Sequence, residues 1–175
     1  MNKIIIKNMQ KEDVSEVVKL EELSYGKHHW SKESFYNELA NELSYYYCAF
    51  DESGKLIGYC GCWHIFEEAH ITTLSVRPEC RRKKVAQALL IKMFEDCYKE
   101  KIKYITLEVR ESNVPAISLY EKNGFISIGE RKGYYQDNNE NALIMFTENI
   151  WYQKFSLLYN QNKEELAQKT EVIYG

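Results

Sequence analysis

The segment from Arg77 to Lys84 has the residue types of an anion-binding site. It reads RPECRRKK, with five basic side chains and one acidic side chain, so its local charge is +4 in a chain whose formal net charge is −3. A β-rich run ends just before it at Val76, and a helical pattern starts near Arg82. Backbone amides at a helix N-terminus and neighbouring cations together bind phosphate groups. The pattern therefore predicts a phosphate site, with a solvated basic loop as the alternative.

The cysteines and histidines are the other residues that could form a metal site or a reactive centre. The five cysteines, at positions 48, 60, 62, 80 and 97, form no C-x-x-C pair and have no histidine at zinc-ligand spacing. Cys60 and Cys62 face the same side if their segment is a strand. We expect reduced, packed thiols, packed or surface positions for His64 and His70, and no metal site.

Composition and charge exclude several classes of protein. The chain has 175 residues, of which 45% are hydrophobic and 28% are charged, as in one globular domain. Its net charge of −3 does not favour direct binding to nucleic acid. No apolar run approaches the ~20 residues that span a bilayer, and no secretion signal opens the chain. We expect a cytoplasmic monomer or weak dimer without membrane contact. The excess of lysine over arginine is typical of an AT-rich genome, so an organelle stroma is the alternative compartment.

Hydrophobic periodicity and capping signals arrange these residues in a series of elements. Ser31 and Asn113 are typical helix N-caps, and Asp51–Gly54 is a hairpin signal. The predicted strands are Ile4–Lys7 (an edge strand), Tyr45–Phe50, Lys55–Phe66, Ala69–Val76, Tyr104–Val109, Phe125–Tyr134 and Ala142–Thr147. The predicted helices are Lys11–Tyr25, Lys32–Glu42, Arg82–Lys99 and the segment from Asn113 to Gly124, followed by an appended helix and a frayed tail from Trp151. This order predicts an α/β (mixed α+β) fold, with helices on both faces of one mixed, mostly antiparallel sheet.

Five short segments resemble the motifs of one enzyme family. Arg82-Lys83-Lys84-Val85-Ala86 is similar to the [QR]-x-x-G-x-[GA] loop that binds acetyl-CoA in the GNAT superfamily of N-acetyltransferases. Leu107–Asn113 followed by Leu119–Phe125 resembles the LEVR-x-SN and LY-x-x-x-GF signature of its ribosomal-protein-alanine N-acetyltransferase branch. Trp30-Ser31 and Arg131–Tyr135 resemble that branch's WS and RR-x-YY segments. The resemblance predicts a GNAT domain over residues 1–150 and a C-terminal helical extension or tail over 151–175.

The resemblance implies acetyl-CoA as co-substrate and assigns its contacts. The end of one strand would pair with the pantetheine arm, and the basic loop would cradle the pyrophosphate. The implied cofactor-binding residues are Leu74, Ser75, Val76, Arg82, Lys83, Lys84, Val85, Ala86, Gln87 and Asn113. Family members usually have glycine at the position of Lys84. If φ is positive there, lysine costs roughly 1–2 kcal/mol of strain, so we expect weakened or altered cofactor binding.

The resemblance also implies the catalytic residues and the residues that line the acceptor site. Glu108 matches the family's general base and Tyr120 its general acid. From the residues alone, the alternatives are a solvent-facing ion pair for Glu108 and core packing for Tyr120. Trp30, Tyr134 and Tyr135 would line the acceptor site, and simple packing is an equal alternative for them.

Three functions follow as hypotheses. The first is an acetyl-CoA-dependent N-terminal alanine acetyltransferase that acts directly on a ribosomal protein, in that branch the eighteenth protein of the small subunit. Asp137 and Glu140, in the last hairpin loop, would suit a basic acceptor terminus. The second is a GNAT enzyme that acetylates a small-molecule amine. The third is a non-catalytic acyl-CoA-binding interaction module, a hypothesis motivated by Lys84 and the extra C-terminal segment.

Overall fold

An eight-stranded sheet runs through the centre of the molecule. The structure, a computed structural model, describes residues 2–175, and these form eight strands and five α-helices. The strands are β1 (Asn2–Asn8), β2 (Ser44–Phe50), β3 (Leu56–Ile65), β4 (Glu68–Val76), β5 (Tyr104–Arg110), β6 (Phe125–Tyr135), β7 (Glu140–Thr147) and β8 (Thr170–Tyr174). The helices are α1 (Val14–Tyr25), α2 (Lys32–Ala40), α3 (Val85–Lys99), α4 (Val114–Lys122) and α5 (Gln153–Lys169).

The strand order confirms the predicted mixed, mostly antiparallel sheet. The order is β6-β7-β5-β4-β3-β2-β1-β8. Only the β4–β5 and β1–β8 pairs are parallel among the strand pairs of residues 2–175. A parallel pair needs a crossover connection, and α3 supplies the one between β4 and β5.

Helices cover both faces of the sheet, as predicted. One buried cluster joins the sheet to α3, α4 and α5, and a second joins its other face to α1 and α2. The predicted apolar stripe of α3 is buried, with at most 1% exposure at Leu89, Leu90, Met93, Phe94 and Cys97.

α3 lies close to β3 because Gly58 of β3 has no side chain. A Cβ atom at Gly58 would meet Ser75 O and a Val85 methyl group at 3.0 Å.

Two predictions at the ends of the chain are wrong. β1 is not an edge strand, because it pairs with β2 on one side and with β8 on the other. The last residues are not a frayed tail, because they form β8, which runs parallel to β1 from Lys3↔Glu171 to Ile6↔Tyr174. The predicted appended helix is present as α5. No helix among the described residues is long and apolar enough to cross a membrane.

Candidate active site

A cleft opens between β4 and β5 where their pairing stops. The parallel ladder runs from Glu68↔Tyr104 to Ile71↔Leu107. β4 continues to Val76 on the side of β3, and β5 continues to Arg110 on the side of β7. The ends of the two strands therefore separate, and an edge of β4 that includes the predicted cofactor contacts faces the opening. An extended ligand can hydrogen-bond to such a strand edge.

The predicted phosphate loop lies between β4 and α3. Arg82 and Lys84 adopt left-handed backbone conformations, with φ of 62° and 68°. The helix therefore begins at Val85 rather than at the predicted Arg82. The first amides of a helix, here those of Val85, Ala86 and Gln87, have no acceptor within the helix. They face the loop together with the exposed side chains of Arg82 and Lys83.

Lys84 has the positive φ that glycine adopts freely, so this residue carries strain of roughly 1–2 kcal/mol. Its ammonium is 3.0 Å from Glu165 Oε1 on α5. The same carboxylate accepts hydrogen bonds from Lys122 at 2.8 Å and Lys169 at 2.7 Å. Hydrogen bonds from Lys122, Lys169 and Lys84 hold the pKa of the Glu165 carboxyl well below its ordinary value. The lysine that replaces the family's glycine is thus tied to the C-terminal helix.

The side chain of Gln87 belongs to a buried polar network. It exchanges hydrogen bonds with the Asn123 amide, at 2.9 and 3.2 Å. Asn123 also donates to Leu119 O at 2.8 Å, and Asn162 of α5 donates to Lys122 O at 3.0 Å. The network joins the start of α3, the end of α4 and α5. The Gln87 side chain is therefore a structural group, and only its backbone amide stays available for the predicted contact with the cofactor.

Glu108 is the first residue of β5 beyond the last β4 pair. Its neighbours Leu107 and Val109 point into the cluster under α3, α4 and α5, so strand alternation directs Glu108 to the face that carries α1 and α2. Arg131 Nε lies 3.0 Å from Glu108 Oε1. A hydrogen bond with Glu108 is the largest of the effects that raise the pKa of the Tyr134 hydroxyl.

Tyr120 lies on the opposite face of the sheet, in the cluster under α3, α4 and α5. It is 7% exposed and packs edge-on against Phe125, with the ring centroids 5.5 Å apart. Burial raises the pKa of its hydroxyl well above the ordinary value, and Tyr25 and Tyr135 contribute to the same direction. A phenol with a raised pKa stays protonated, as a general acid requires.

A cavity of about 310 Å³ lies beside the cleft. It is lined by Ser24, Tyr25, His28, Arg110, Asp137, Asn138 and Glu140. The Arg110 guanidinium pairs with Asp137 at 2.9 Å and with Glu140 at 3.4 Å, and it lies 3.8 Å from the centre of the Tyr135 ring. Hydrogen bonds from Ser112 and Asn138 lower the pKa of Glu140 to about 2. The two predicted acidic residues are therefore beside the cavity, and Arg110 partly neutralises them.

Tyr25 and Arg110 were missed in the sequence. The Ser75 hydroxyl donates a hydrogen bond of 3.4 Å to the Tyr25 hydroxyl, which links the end of α1 to the predicted pantetheine-binding edge. Tyr25 is the last residue of α1 and Arg110 is the last residue of β5. The only sequence signal for a role of these two residues was their position at the ends of predicted elements. Local sequence patterns do not show which element ends meet in space.

The remaining predicted residues lie around this centre. Asn113 is confirmed as the N-cap of α4, where its side chain accepts a 3.3 Å hydrogen bond from Ala116 N. Trp30 packs on Phe35 with ring centroids 5.5 Å apart, and its backbone amide donates to Glu21. Tyr134 lies against Tyr135, edge to face. Leu74 and Val76 are partly buried against the α3 cluster.

The thiols are free and mostly packed, and His64 is packed, as predicted. All five cysteines are free and four are buried, and burial raises the pKa of Cys48, Cys60, Cys62 and Cys97. His64 is buried and stacks on Tyr45 at 3.9 Å, and its burial lowers the imidazole pKa to about 4. Among residues 2–175, no group of three or more His, Cys, Asp or Glu side chains is arranged to hold a metal ion.

Comparisons with known proteins agree with this geometry. The family model of the acetyltransferase (GNAT) family matches residues 12–125. A relative from Bacillus subtilis (strain 168), provisionally named a [ribosomal protein bS18]-alanine N-acetyltransferase, is 39% identical over 144 residues, covering 82% of this chain and 95% of that protein.

Two solved structures share the fold. The crystal structure of the ribosomal-protein-S18-alanine N-acetyltransferase from Escherichia coli has a TM-score of 0.75 and 26% identity, covering 83% of this chain and 94% of that one. The PaiA N-acetyltransferase of Thermoplasma acidophilum, in complex with coenzyme A, has a TM-score of 0.69 and 24% identity, covering 83% and 98%. On the family match and the 39% identical relative, this chain belongs to the GNAT family of acetyltransferases and is an N-acetyltransferase.

Proposed function

We propose that this acetyltransferase transfers the acetyl group of acetyl-CoA to the α-amino group of an N-terminal alanine on the ribosomal protein bS18. The observation that carries the proposal is the arrangement around the β4–β5 cleft. Glu108 lies where β4 and β5 separate, on one face of the sheet, and Tyr120 lies in the buried cluster on the other face. An acceptor amine and a thioester that meet in the cleft would therefore have a base and an acid on opposite sides. The names of the B. subtilis and E. coli relatives support the choice of acceptor.

Acetyl-CoA would enter along the open edge of β4. Backbone groups near Leu74, Ser75 and Val76 would pair with the pantetheine amides, as strands pair with one another. The pyrophosphate would then reach the N-terminus of α3. There it would meet the first helix amides together with the cationic side chains of Arg82 and Lys83.

The reaction would be a direct transfer without an acyl-enzyme. The neutral amine attacks the thioester carbonyl carbon, and Glu108 takes the amine proton directly or through water. Backbone amides at the strand ends would stabilise the oxyanion that forms. The carbon–sulfur bond then breaks, and Tyr120 gives its proton to the departing CoA thiolate. Its raised pKa keeps that proton available at neutral pH.

The cavity beside the cleft supports a peptide acceptor. Its volume of about 310 Å³ suits a few residues of chain, and Asp137 and Glu140 place negative charge at its rim. A basic residue after the terminal alanine would share these carboxylates with Arg110. A small free amine would leave most of the cavity unused.

The test is steady-state acetyl transfer from acetyl-CoA to an Ala-Arg-starting peptide and to a panel of free amines. We expect peptide turnover, with kcat about 10²–10⁴-fold lower in Tyr120→Phe. Tyr152→Phe, at an exposed tyrosine before α5, is the matched control and should retain full activity. Turnover of free amines without peptide turnover would replace the proposed acceptor with a small molecule. CoA binding without any turnover would leave only the interaction module.

A further inference from the structure

The C-terminal helix reaches the start of α3, at the candidate cofactor site, and the end of α4. Glu165 contacts Lys84, at the start of α3, and Lys122, at the end of α4. One turn earlier on the same face of α5, Asn162 donates hydrogen bonds to the Lys122 carbonyl and the Asn123 side chain. The helix itself is fastened to α3, since Phe155 and Tyr159 pack on Phe94. The matched family region ends at residue 125, so α5 lies outside it.

We propose that Glu165 is a positioning residue for the acetyl-CoA pyrophosphate loop: it binds the Lys84 ammonium and so keeps residue 84 in the left-handed conformation that begins α3. The inference rests on the proposed function, because it takes this loop to be the phosphate site. A side chain disfavours positive φ, whereas glycine does not. The chain has lysine where the family usually has glycine, and the carboxylate on α5 compensates for that exchange.

The charges at this point explain why a single carboxylate has this effect. Three ammonium groups, those of Lys84, Lys122 and Lys169, lie within 3.0 Å of Glu165 oxygens. Without the carboxylate these cations would repel one another, and the Lys84 side chain would lose its contact with α5. An isolated surface ion pair contributes little, but a carboxylate shared by the partly buried Lys84 and two exposed lysines is a network. Its loss should therefore change the loop rather than the whole fold.

The experiment is a double-mutant cycle read by calorimetric titration with CoA. The proteins are the full-length wild type, Glu165→Gln, Lys84→Gly and the double variant. We expect Glu165→Gln to raise the Kd for CoA about fivefold to thirtyfold when Lys84 is present, the range that corresponds to the backbone strain. In the Lys84→Gly background the same substitution should change the Kd by less than about twofold, because glycine needs no partner to adopt this conformation.

Two further measurements separate positioning from general stability. Glu164→Gln removes the same charge from the adjacent residue, which has no ion-pair partner among the described residues, and it should leave the Kd unchanged. In steady state, Glu165→Gln should raise the KM for acetyl-CoA while kcat for the peptide stays the same. If Glu165 stabilised the whole fold instead, Glu165→Gln would lower the Tm and would raise the Kd equally in the Lys84 and Lys84→Gly backgrounds.

The outcomes that contradict the inference are distinct from those that contradict the proposed function. A wild-type protein that does not bind CoA would overturn both. A wild type that binds CoA, with Glu165→Gln binding it equally well or more tightly, would overturn the role of Glu165 alone. Equal losses in the Lys84 and Lys84→Gly backgrounds would also overturn that role, because they would show no coupling between the two residues.

Discussion

The two sides of the β4–β5 cleft are held together in different ways. On the cofactor side, meaning the start of α3 with the parts of α4 and α5 that touch it, a buried amide network lies beside the Glu165 ion pairs: Gln87, Asn123 and Asn162 are at most 6% exposed. On the acceptor side, meaning the end of α1 with the β6–β7 hairpin, most contacts are partly exposed ion pairs. Arg110 there keeps 29% of its side-chain area exposed.

This difference matches what each side has to bind. A cofactor is the same molecule in every turnover, so a rigid, fully paired network suits its site. A peptide terminus must enter and leave, and ion pairs near water can exchange partners at little cost. The comparison therefore predicts that substitutions in the buried amide network affect stability, and that substitutions among the exposed ion pairs of the acceptor side affect the use of substrate.

The buried amide network should give the largest effect on stability. Asn123→Ala removes the partner of Gln87 and leaves its buried amide unpaired, and we expect a loss of about 2 kcal/mol in the free energy of unfolding. Urea denaturation at neutral pH measures it. The control is Asn138→Ala on the acceptor side, where the amide bonds Arg110 and Glu140 near the surface, with an expected change within about 0.5 kcal/mol. Equal losses in the two variants would remove the contrast between the sides.

A buried acid on the acceptor side should make stability depend on pH. Glu21 is 3% exposed, and burial raises its pKa from an ordinary value of 4.5 to about 7. Between these values the folded chain holds a proton that the unfolded chain has released, so stability falls as the pH rises from 5 to 8. We expect a loss of about 1–2 kcal/mol over that range.

Glu21→Gln should remove this pH dependence, because the amide does not titrate. Urea unfolding at pH 5 and pH 8 tests both proteins. Glu21 accepts a hydrogen bond from Trp30 N, and an amide oxygen can accept the same bond. A variant with the same slope as the wild type would show that other groups cause the pH dependence.

The smallest effect should come from the exposed charges at the cavity rim. Asp137→Asn weakens the negative charge that a basic second residue of the acceptor would meet, and the KM for such a peptide should rise about twofold to fivefold. A peptide with a neutral second residue is the internal control, and its KM should not change. The Kd for CoA should also stay the same, since Asp137 lies on the acceptor side. A rise in KM for both peptides would mean that Asp137 acts only by holding Arg110.

Short-range signals predicted most of the fold. Ser31 accepts a hydrogen bond from Ser34 N at the start of α2, and Asn113 caps α4, because capping involves residues only three apart. The apolar stripe of α3 could also be predicted, since the periodicity of its apolar residues is a property of a single helix. The motif match assigned catalytic roles to Glu108 on β5 and Tyr120 on α4, and these roles stay predictions. What no local pattern showed is that the two residues lie on opposite faces of the sheet.

The amino-acid sequence by itself determined the order of the elements, their buried faces and the location of the basic loop before α3. These follow from side-chain size, polarity and periodicity over a few neighbours. Only the tertiary structure decided that β8 pairs with β1, that Arg110 partly neutralises Asp137 and Glu140, and that Glu165 binds a lysine 81 positions away. Contacts of this kind depend on which element ends meet after the whole sheet has assembled. The spacing of two residues in the sequence does not determine the distance between them in the folded protein.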